Sequence, residues 1–320
     1  MKQEYKEAFE CLNNAFNLVF KNNKLSIGLV VPIENYSRTV IPSMKNHIDR
    51  ILLAEELGFK AIWLRDIPFN VPSFGDVGQM YDPFSYLGYL SAKTSKIALG
   101  VGSIILPLRH PAHIAKAASS IDELSNGRLI LGIASGDRPE EYPAMNIEFY
   151  NRGDKFRQSF EYITKIWKDY PMFDNEFGSP YGGLDMLPKP TNKKVPMLIT
   201  GASQQSPSWL AKNGDGWITY PRPIHTQEKV VNRIRDNAKV NSMNNRPISQ
   251  SLYIDLVDDE NIIPQSIHLG YRLNVKDLLI HLKSLEQIGV NHVALNLRFN
   301  QADIEKTLKL IAKEILPEFS

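Results

Sequence analysis

The sequence lacks the features on which several large classes of protein depend. Its 320 residues include one cysteine, Cys11, so the chain can form neither an intramolecular disulfide nor a cysteine-rich metal site. The formal net charge of +2 provides no strong field for nucleic acid. No uninterrupted apolar run approaches the roughly 20 residues of a membrane span, and the N-terminus is too charged for a signal peptide. We therefore expect a soluble, cytoplasmic protein that binds neither nucleic acid nor membrane.

Two common catalytic signatures are also missing. The chain contains no G-x-S-x-G sequence, which serine hydrolases use for their nucleophile elbow. Gly100 and Gly102 follow an apolar run, as in a dinucleotide-binding fingerprint, but the third glycine is absent. The next helix cannot begin before about Pro111, so a Rossmann-type phosphate turn is disfavoured.

Neither the histidines nor the paired acids form a convincing site. His110 and His113 are three residues apart, but no carboxylate or cysteine ligand accompanies them. Packing at the start of a helix explains them better, and we expect no metal. The acidic pairs Glu140-Glu141 and Asp258-Asp259 have the pattern of solvated loop charges.

Eight short apolar runs are spread along the chain. They lack clean polar alternation, which is typical of parallel strands that are buried on both faces. The runs cover residues 26–32, 61–64, 97–101, 129–133, 196–200, 216–219, 252–257 and 292–296. Amphipathic helical stretches lie between them, so the pattern predicts a TIM (β/α)8 barrel, with a doubly wound open α/β sheet as the main alternative. No linker divides the chain, and we expect a single domain over residues 1–320.

Two segments depart from this rhythm. Apolar residues recur at helical spacing between Phe9 and Val19, which predicts an N-terminal helical extension over residues 1–24. Such a helix would cap the bottom of the barrel or lie at a subunit interface. Residues 172–190 are rich in glycine, proline and aromatic side chains, and they predict an insertion before the fifth strand that partly covers the site.

The active site of a TIM barrel lies at the C-terminal ends of its strands. Polar groups occupy these positions at Asp66, Ser103, 135–138, 201–206, 220–222 and Arg298. The strongest local signal is the turn after the fifth strand, where Gly201 is followed by Ser206 and Pro207. These last two residues have the sequence of a helix start. Its N–H donors and dipole would suit a phosphate, although a purely structural helix cap explains the same sequence.

Several segments together resemble the bacterial-luciferase-like monooxygenase family. The resemblance runs from about residue 25 to residue 298, in matching order and spacing. The segments that carry it are 99–111, 122–128, 131–136, 201–203 and 211–217. It implies a TIM barrel that binds FMN or, in other branches of the family, the deazaflavin F420.

The resemblance also implies where the flavin phosphate lies. In the family, a pair of hydroxyl groups spaced three residues apart holds it, and these fall on Ser203 and Ser206, in the same turn as Gly201 and Ala202. A further phosphate ligand follows the fourth strand. Luciferases have an arginine there, whereas this chain has Ser135, which keeps a hydrogen-bond donor and loses a positive charge.

The flavin ring has its own implied neighbours. Many family members have a non-prolyl cis peptide beneath the ring at the end of the third strand, and the matching bond is Gly102–Ser103. Luciferases carry a catalytic histidine after the second strand, but residues 66–69 contain none. Light emission from a long-chain aldehyde is therefore not expected. Asp66 and Arg138 remain as the candidate catalytic residues.

The resemblance predicts an FMN-dependent monooxygenase. A partner reductase would supply reduced FMN, and O₂ would oxygenate a small organic substrate. The alternatives are F420-dependent hydride transfer, a non-catalytic flavin-binding protein and, on fold alone, a TIM-barrel enzyme acting on phosphosugars. The resemblance and the apolar N-terminal segment both predict a homodimer or a higher homo-oligomer.

Overall fold

Eight parallel strands close into a barrel in the computed structural model, which describes residues 8–74 and 78–319. The barrel strands are β1 (Ser26–Val30), β2 (Ala61–Leu64), β3 (Ala98–Ile105), β4 (Leu129–Ala134), β5 (Met197–Thr200), β6 (Gly216–Thr219), β7 (Ile248–Leu256) and β10 (His292–Asn296). Barrel strands that are consecutive in sequence pair with one another, and β10 pairs with both β1 and β7. This closure confirms the TIM barrel and excludes the open sheet, because an open sheet would leave two unpaired edges.

Helices accompany the barrel, and the longer ones cover its outer face. They are α1 (Asn14–Val19), α2 (His47–Leu57), α3 (Pro83–Lys93), α4 (Pro111–Leu124), α5 (Glu141–Ala144), α6 (Arg152–Ile166), α7 (Pro207–Asn213), α8 (Ile224–Val240), α9 (Val275–Gln287) and α10 (Ile304–Glu314). The outward-facing apolar residues of the strands form one continuous core with the inner faces of the helices. In the described part of the chain, no helix combines the length and apolar character needed to cross a membrane.

The N-terminal segment closes the bottom of the barrel, but its helix is much shorter than the sequence pattern predicts. Within residues 8–24 only the six residues of α1 are helical, and residues 1–7 of the predicted extension lie outside the described part of the chain. The side chain of Asn13 caps the helix by accepting a hydrogen bond from the Phe16 N–H. Phe16 and Val19 pack against barrel residues such as Ile130. The apolar face is thus buried within the chain.

The lower interior of the barrel is held by a buried hydrogen-bonded chain. The indole N–H of Trp63 donates to Nε2 of His292 (2.9 Å), whose Nδ1 lies 2.7 Å from the Ser26 hydroxyl. That hydroxyl donates to the carbonyl of Val19 (2.6 Å). The arrangement requires neutral His292 with its proton on Nδ1, and burial lowers the pKa of His292 to about 3.

The 122–128 segment, which carries part of the family resemblance, has a structural role. All five hydrogen bonds of the Arg128 guanidinium go to Ser91, Thr94, Ile97 and Ser125, at the turns that precede β3 and β4. Buried guanidinium groups of this kind stabilise a structure by satisfying several carbonyl groups at once.

Two features lie outside the regular alternation. Residues 172–190 contain no helix or strand and pack outside the barrel, where Phe173 contacts Tyr162 of α6 and Phe177 contacts His110. His110 caps α4 through its Nδ1. A hairpin of β8 (Gln265–Ile267) and β9 (Gly270–Leu273) extends the sheet beside the end of β7. The sequence pattern did not predict this hairpin, because both strands are short and only Leu273 of their seven residues is buried.

Candidate functional site

The carboxyl end of the barrel has an open floor on one side. Barrel strands are otherwise buried, but solvent reaches strand residues on five consecutive strands, β3 to β7. These residues are Gly102, Ile105, Ala134, Thr200, Ile218 and Ser251. Because these strands are neighbours in the sheet, the residues adjoin one another and form the floor of the carboxyl end, where the site of a TIM barrel is expected.

Gly102 and Ser103 lie at the edge of this floor. The peptide bond between them is cis, which confirms the expectation from the family resemblance. Gly102 is exposed, whereas the Ser103 hydroxyl is hydrogen-bonded to the Thr200 hydroxyl on β5. Gly132 on β4 makes room for this contact, because a Cβ there would lie 2.3 Å from the Val101 carbonyl and 2.9 Å from Ser103 Oγ.

The turn after β5 has an unusual backbone. Gly201, Ser203 and Gln204 have φ angles of 57°, 44° and 62°, so three of four consecutive residues are left-handed. The Ser203 hydroxyl donates to the Thr200 carbonyl (2.8 Å). Ser206 begins α7 as its N-cap, and its hydroxyl accepts from the Trp209 N–H (3.2 Å). As an acceptor in that cap, the Ser206 hydroxyl keeps its proton available for a ligand.

Ser135 lies at the end of β4 and is buried. Its carbonyl accepts a hydrogen bond from the Tyr142 hydroxyl, which folds the following segment tightly over the strand. A positive charge reaches the turn after β5 from another element, because Nε of Arg157 on α6 donates to Oε1 of Gln205 (3.1 Å). Sequence reasoning missed Arg157, since nothing local links it to a turn almost fifty residues later.

Asp66 follows β2 but binds protein groups with both of its oxygens. Oδ2 accepts from the Ile105 N–H (3.1 Å) and from Nε of Arg109 (3.3 Å), while Oδ1 accepts from the Arg109 guanidinium (2.7 Å). Arg109 also bridges to Asp82, the N-cap of α3. The buried carboxylate therefore joins the segments that follow β2 and β3.

Glu141 is buried, so the expectation that both acidic pairs are solvated was wrong for this residue. Glu140, Asp258 and Asp259 are exposed as predicted, but only 2% of the Glu141 surface is accessible, and its Oε1 has no hydrogen-bond partner among the described residues. Burial raises the pKa of Glu141 to about 7, with Arg138 opposing the shift and nearby acids adding to it. The carboxyl group is thus half protonated near neutral pH.

Arg138 lies beside Glu141 and helps to pack two loops together. Its guanidinium lies 4.3 Å from the ring centre of Phe74, on the loop that follows β2. The hydroxyl of Ser73 donates to Glu140 on the loop that follows β4 (3.2 Å). The N–H of Phe69 also bonds to Glu141. Arg138 and Glu141 therefore belong to a contact between the β2 and β4 loops at the side of the mouth.

Tyr220 follows β6 and lies beside the turn after β5. Its ring would lie 3.8 Å from a Cβ on Gly201, so it borders the turn after β5. Burial raises the pKa of the Tyr220 hydroxyl, Asp137 adds to the shift, and Arg222 and Arg65 oppose it. Charged groups from the ends of β2, β4 and β6 therefore meet near this phenol. The Arg222 guanidinium is fixed by its bond to the Tyr220 carbonyl (2.7 Å).

Comparison with known proteins identifies the family. The sequence profile described as luciferase-like monooxygenase matches residues 25–255, which is most of the chain. The chain therefore belongs to the luciferase-like monooxygenase family, and it is an oxidoreductase-type enzyme of that family. This membership agrees with the closed barrel and with the site at its carboxyl end.

Relatives within the family use two kinds of cofactor. The oxygenase component of the flavin-dependent trigonelline monooxygenase of Acinetobacter baylyi is 25% identical over 193 residues, which cover 58% of this chain and 51% of that protein. The F420-dependent hydroxymycolic acid dehydrogenase of Mycobacterium tuberculosis is 28% identical over 178 residues, or 54% of this chain and 48% of that protein. The chain thus spans about half the length of each of these relatives.

A solved structure supports the fold. The oxygenating constituent of the 3,6-diketocamphane monooxygenase from Pseudomonas putida, in complex with FMN, has a TM-score of 0.73. The alignment covers 93% of this chain and 99% of that one, at 16% sequence identity. The similarity extends the luciferase-like barrel over nearly the whole chain.

Proposed function

We propose that this protein is an FMN-dependent monooxygenase that acts on a small organic substrate. The observation that carries the proposal is the open floor at Gly102, together with the turn after β5, whose backbone N–H groups at residues 202–204 bind no acceptor in the described part of the chain. Bound reduced FMN would supply the chemistry that activates O₂, and the barrel would orient the reactants and exclude water.

The donor set of the turn fits a phosphate. Across residues 8–74 and 78–319, no acceptor binds the backbone N–H groups of Ala202, Ser203 and Gln204. Successive N–H groups in left-handed conformations form a concave site that favours anions. We propose that Gly201, Ala202, Ser203 and Ser206 hold the phosphate of FMN, with Ser135 near it.

The remaining predicted residues have two proposed roles. Gly102 and Ser103 would support the flavin ring, since Gly102 is exposed at the floor and the Ser103 hydroxyl is fixed by Thr200. Asp66 and Arg138 are proposed to act by positioning the loops after β2, β3 and β4 around the reaction, because both oxygens of Asp66 are occupied by protein donors.

F420-dependent hydride transfer is the second candidate function. The 28% identity with the F420-dependent mycobacterial dehydrogenase favours it, and the turn after β5 could hold the phosphate of either cofactor. A non-catalytic flavin-binding protein is the third outcome that the experiment below distinguishes.

The proposed partners are a flavin reductase, which would supply reduced FMN in the cytoplasm, and a second copy of the chain. The trigonelline relative is itself an oxygenase component, which supports a separate reductase. The N-terminal segment no longer supports dimerisation, because its apolar residues are buried against the barrel. Exposed apolar side chains remain on α2 and α3, including Leu52 and Tyr89. Sedimentation at micromolar concentration tests the dimer, and a stable monomer would exclude it.

Parallel titrations with FMN, riboflavin and F420 test the proposed function. We expect FMN to bind more tightly than either of the others. Oxygen consumption with reduced FMN should then exceed the rate of free flavin when a substrate is present. Preference for F420 would establish the second function, and FMN binding without any turnover would establish the third.

A further inference from the structure

Gln205 lies at the centre of the turn after β5, between the exposed residues Gln204 and Ser206. Only 6% of its surface is accessible, although a glutamine in a loop is usually solvated. Its side chain points back into the protein and contacts α6.

The hydrogen bonds of Gln205 fix the orientation of its amide. Nε2 donates to the carbonyl of Gly153 (2.8 Å) and to the carbonyl of Ser203 (3.1 Å), while Oε1 accepts from Nε of Arg157 (3.1 Å). Carbonyl groups only accept and a guanidinium only donates, so the opposite orientation of the amide would break all three bonds.

These bonds control which groups of the turn are left for a ligand. The carbonyl of Thr200 accepts from the Ser203 hydroxyl, that of Ala202 accepts from the Gln205 N–H (2.8 Å), and that of Ser203 accepts from the Gln205 amide. All three carbonyl oxygens, which would repel an anion, are therefore bonded within the protein. Gln205 supplies two of the three donors.

The turn also rests directly on the first turn of α6. A Cβ on Gly153 would lie only 2.7 Å from Cβ of Gln204, so the close approach requires glycine. Arg157 lies one helical turn further along α6 and brings a positive charge to the same contact. By the family resemblance, luciferases bring a positive charge to the phosphate from an arginine at the position of Ser135, which is uncharged in this chain.

We propose that Gln205 is a positioning residue for the cofactor phosphate and that Arg157, through it, supplies the positive charge that Ser135 lacks. The inference rests on the proposed function, because it concerns the same phosphate site. Gln205 holds the carbonyl oxygens of the turn against internal donors, and the N–H groups of residues 202–204 then remain for the phosphate. It contacts no reacting atom.

Two variants and one control test this role. Gln205→Met keeps the length of the side chain and removes the amide, whereas Gln205→Glu keeps the acceptor for Arg157 and removes both donated bonds. The control is Gln287→Met, the same change at an exposed glutamine of α9, outside the turn after β5. Dissociation constants are measured for two ligand pairs, each with and without phosphate. One pair is FMN and riboflavin, which differ by the phosphate group alone, and the other is F420 and its phosphate-free deazaflavin core.

We expect the wild type to prefer the phosphate-bearing member of one pair. Both Gln205 variants should lower that preference about 10-fold or more, because the N–H donors of the turn lose their orientation. Gln205→Glu loses the two bonds that the amide donates, and Gln205→Met also loses the bond from Arg157. Binding of the phosphate-free member should change by less than about twofold. The control Gln287→Met should retain the wild-type preference.

Each contrary result has a distinct meaning. A Gln205→Met protein that keeps the full preference would overturn the positioning role and leave the proposed function intact. Equal loss of both members of a pair would show that Gln205 is only structural. A wild type that binds neither pair would refute the proposed function, and the inference with it.

Discussion

The stability of this protein should contain two opposite dependences on pH, one from each of two buried groups. His292 has a pKa near 3 in the folded chain, against an ordinary value of 6.5. The unfolded chain binds this proton as the pH falls below 6.5 and the folded chain does not, so stability is lost from about pH 6.5 down to pH 3. Glu141 has a pKa near 7 against an ordinary value of 4.5, so its contribution is lost as the pH rises from 4.5 to 7.

The two effects have similar magnitudes where they overlap. Between pH 4.5 and 6.5, linkage gives a change of about 2 kcal/mol in the free energy of unfolding for each group, with opposite signs. Their sum is therefore close to zero in the wild type. For Glu141 this is an upper value, because the unpaired oxygen could recruit water.

Substitution should separate the two effects. His292→Gln keeps an acceptor for the Trp63 indole and does not titrate, while Glu141→Gln resembles the protonated acid. Relative to wild type, His292→Gln should lose about 2 kcal/mol of unfolding free energy as the pH rises from 4.5 to 6.5. Glu141→Gln should gain about 2 kcal/mol over the same range, and the double variant should run parallel to wild type.

Reversible urea unfolding at half-unit pH steps provides the measurement. Only the slopes of unfolding free energy against pH are compared, so a loss of stability that is constant with pH does not affect the result. His225→Gln, at an exposed histidine, is the matched control and should run parallel to wild type. Proton NMR of the His292 ring should show no titration between pH 7.5 and 4.5. If either single variant runs parallel to wild type, the corresponding buried group titrates normally and the reasoning is wrong.

Three further predictions concern the site and its support. Ser206→Ala should raise the Kd for FMN roughly 10- to 100-fold, because the phosphate loses a hydroxyl donor, and Ser203→Ala should do the same, because the Thr200 carbonyl loses its donor and then repels the phosphate. Both variants should leave riboflavin binding nearly unchanged, and Ser208→Ala, in α7, should bind FMN normally. Normal FMN binding in both site variants would place the phosphate elsewhere. Arg128→Met should lower the free energy of unfolding by at least about 3 kcal/mol, because the carbonyl groups of four residues lose a charged donor. Urea titrations measure this loss, and a value below about 1 kcal/mol would contradict the prediction. Asp66→Asn should destabilise the fold by about 1–3 kcal/mol, since Arg109 loses its buried counter-charge. If the variant instead keeps its unfolding free energy and loses catalytic turnover, Asp66 takes part in proton transfer.

Part of the site could be predicted from the sequence because it depends on contiguous residues. The turn at Gly201 follows a strand and precedes a Ser-Pro helix start, and both features are visible locally. The cis bond at Gly102–Ser103 was predicted by resemblance alone. Glu141 was misjudged because its burial depends on Phe69 and the loop after β2, which are far from it in the chain.

The sequence by itself determined the barrel, since each strand is a local apolar run and each helix has its own apolar face. Tertiary structure decided which polar groups meet. It placed Arg157 against Gln205, buried Glu141 and turned the N-terminal segment into a plug with a helix of only six residues. The reason is physical: apolar periodicity is encoded within a segment, whereas burial, pairing and pKa depend on neighbours that closure of the barrel brings together.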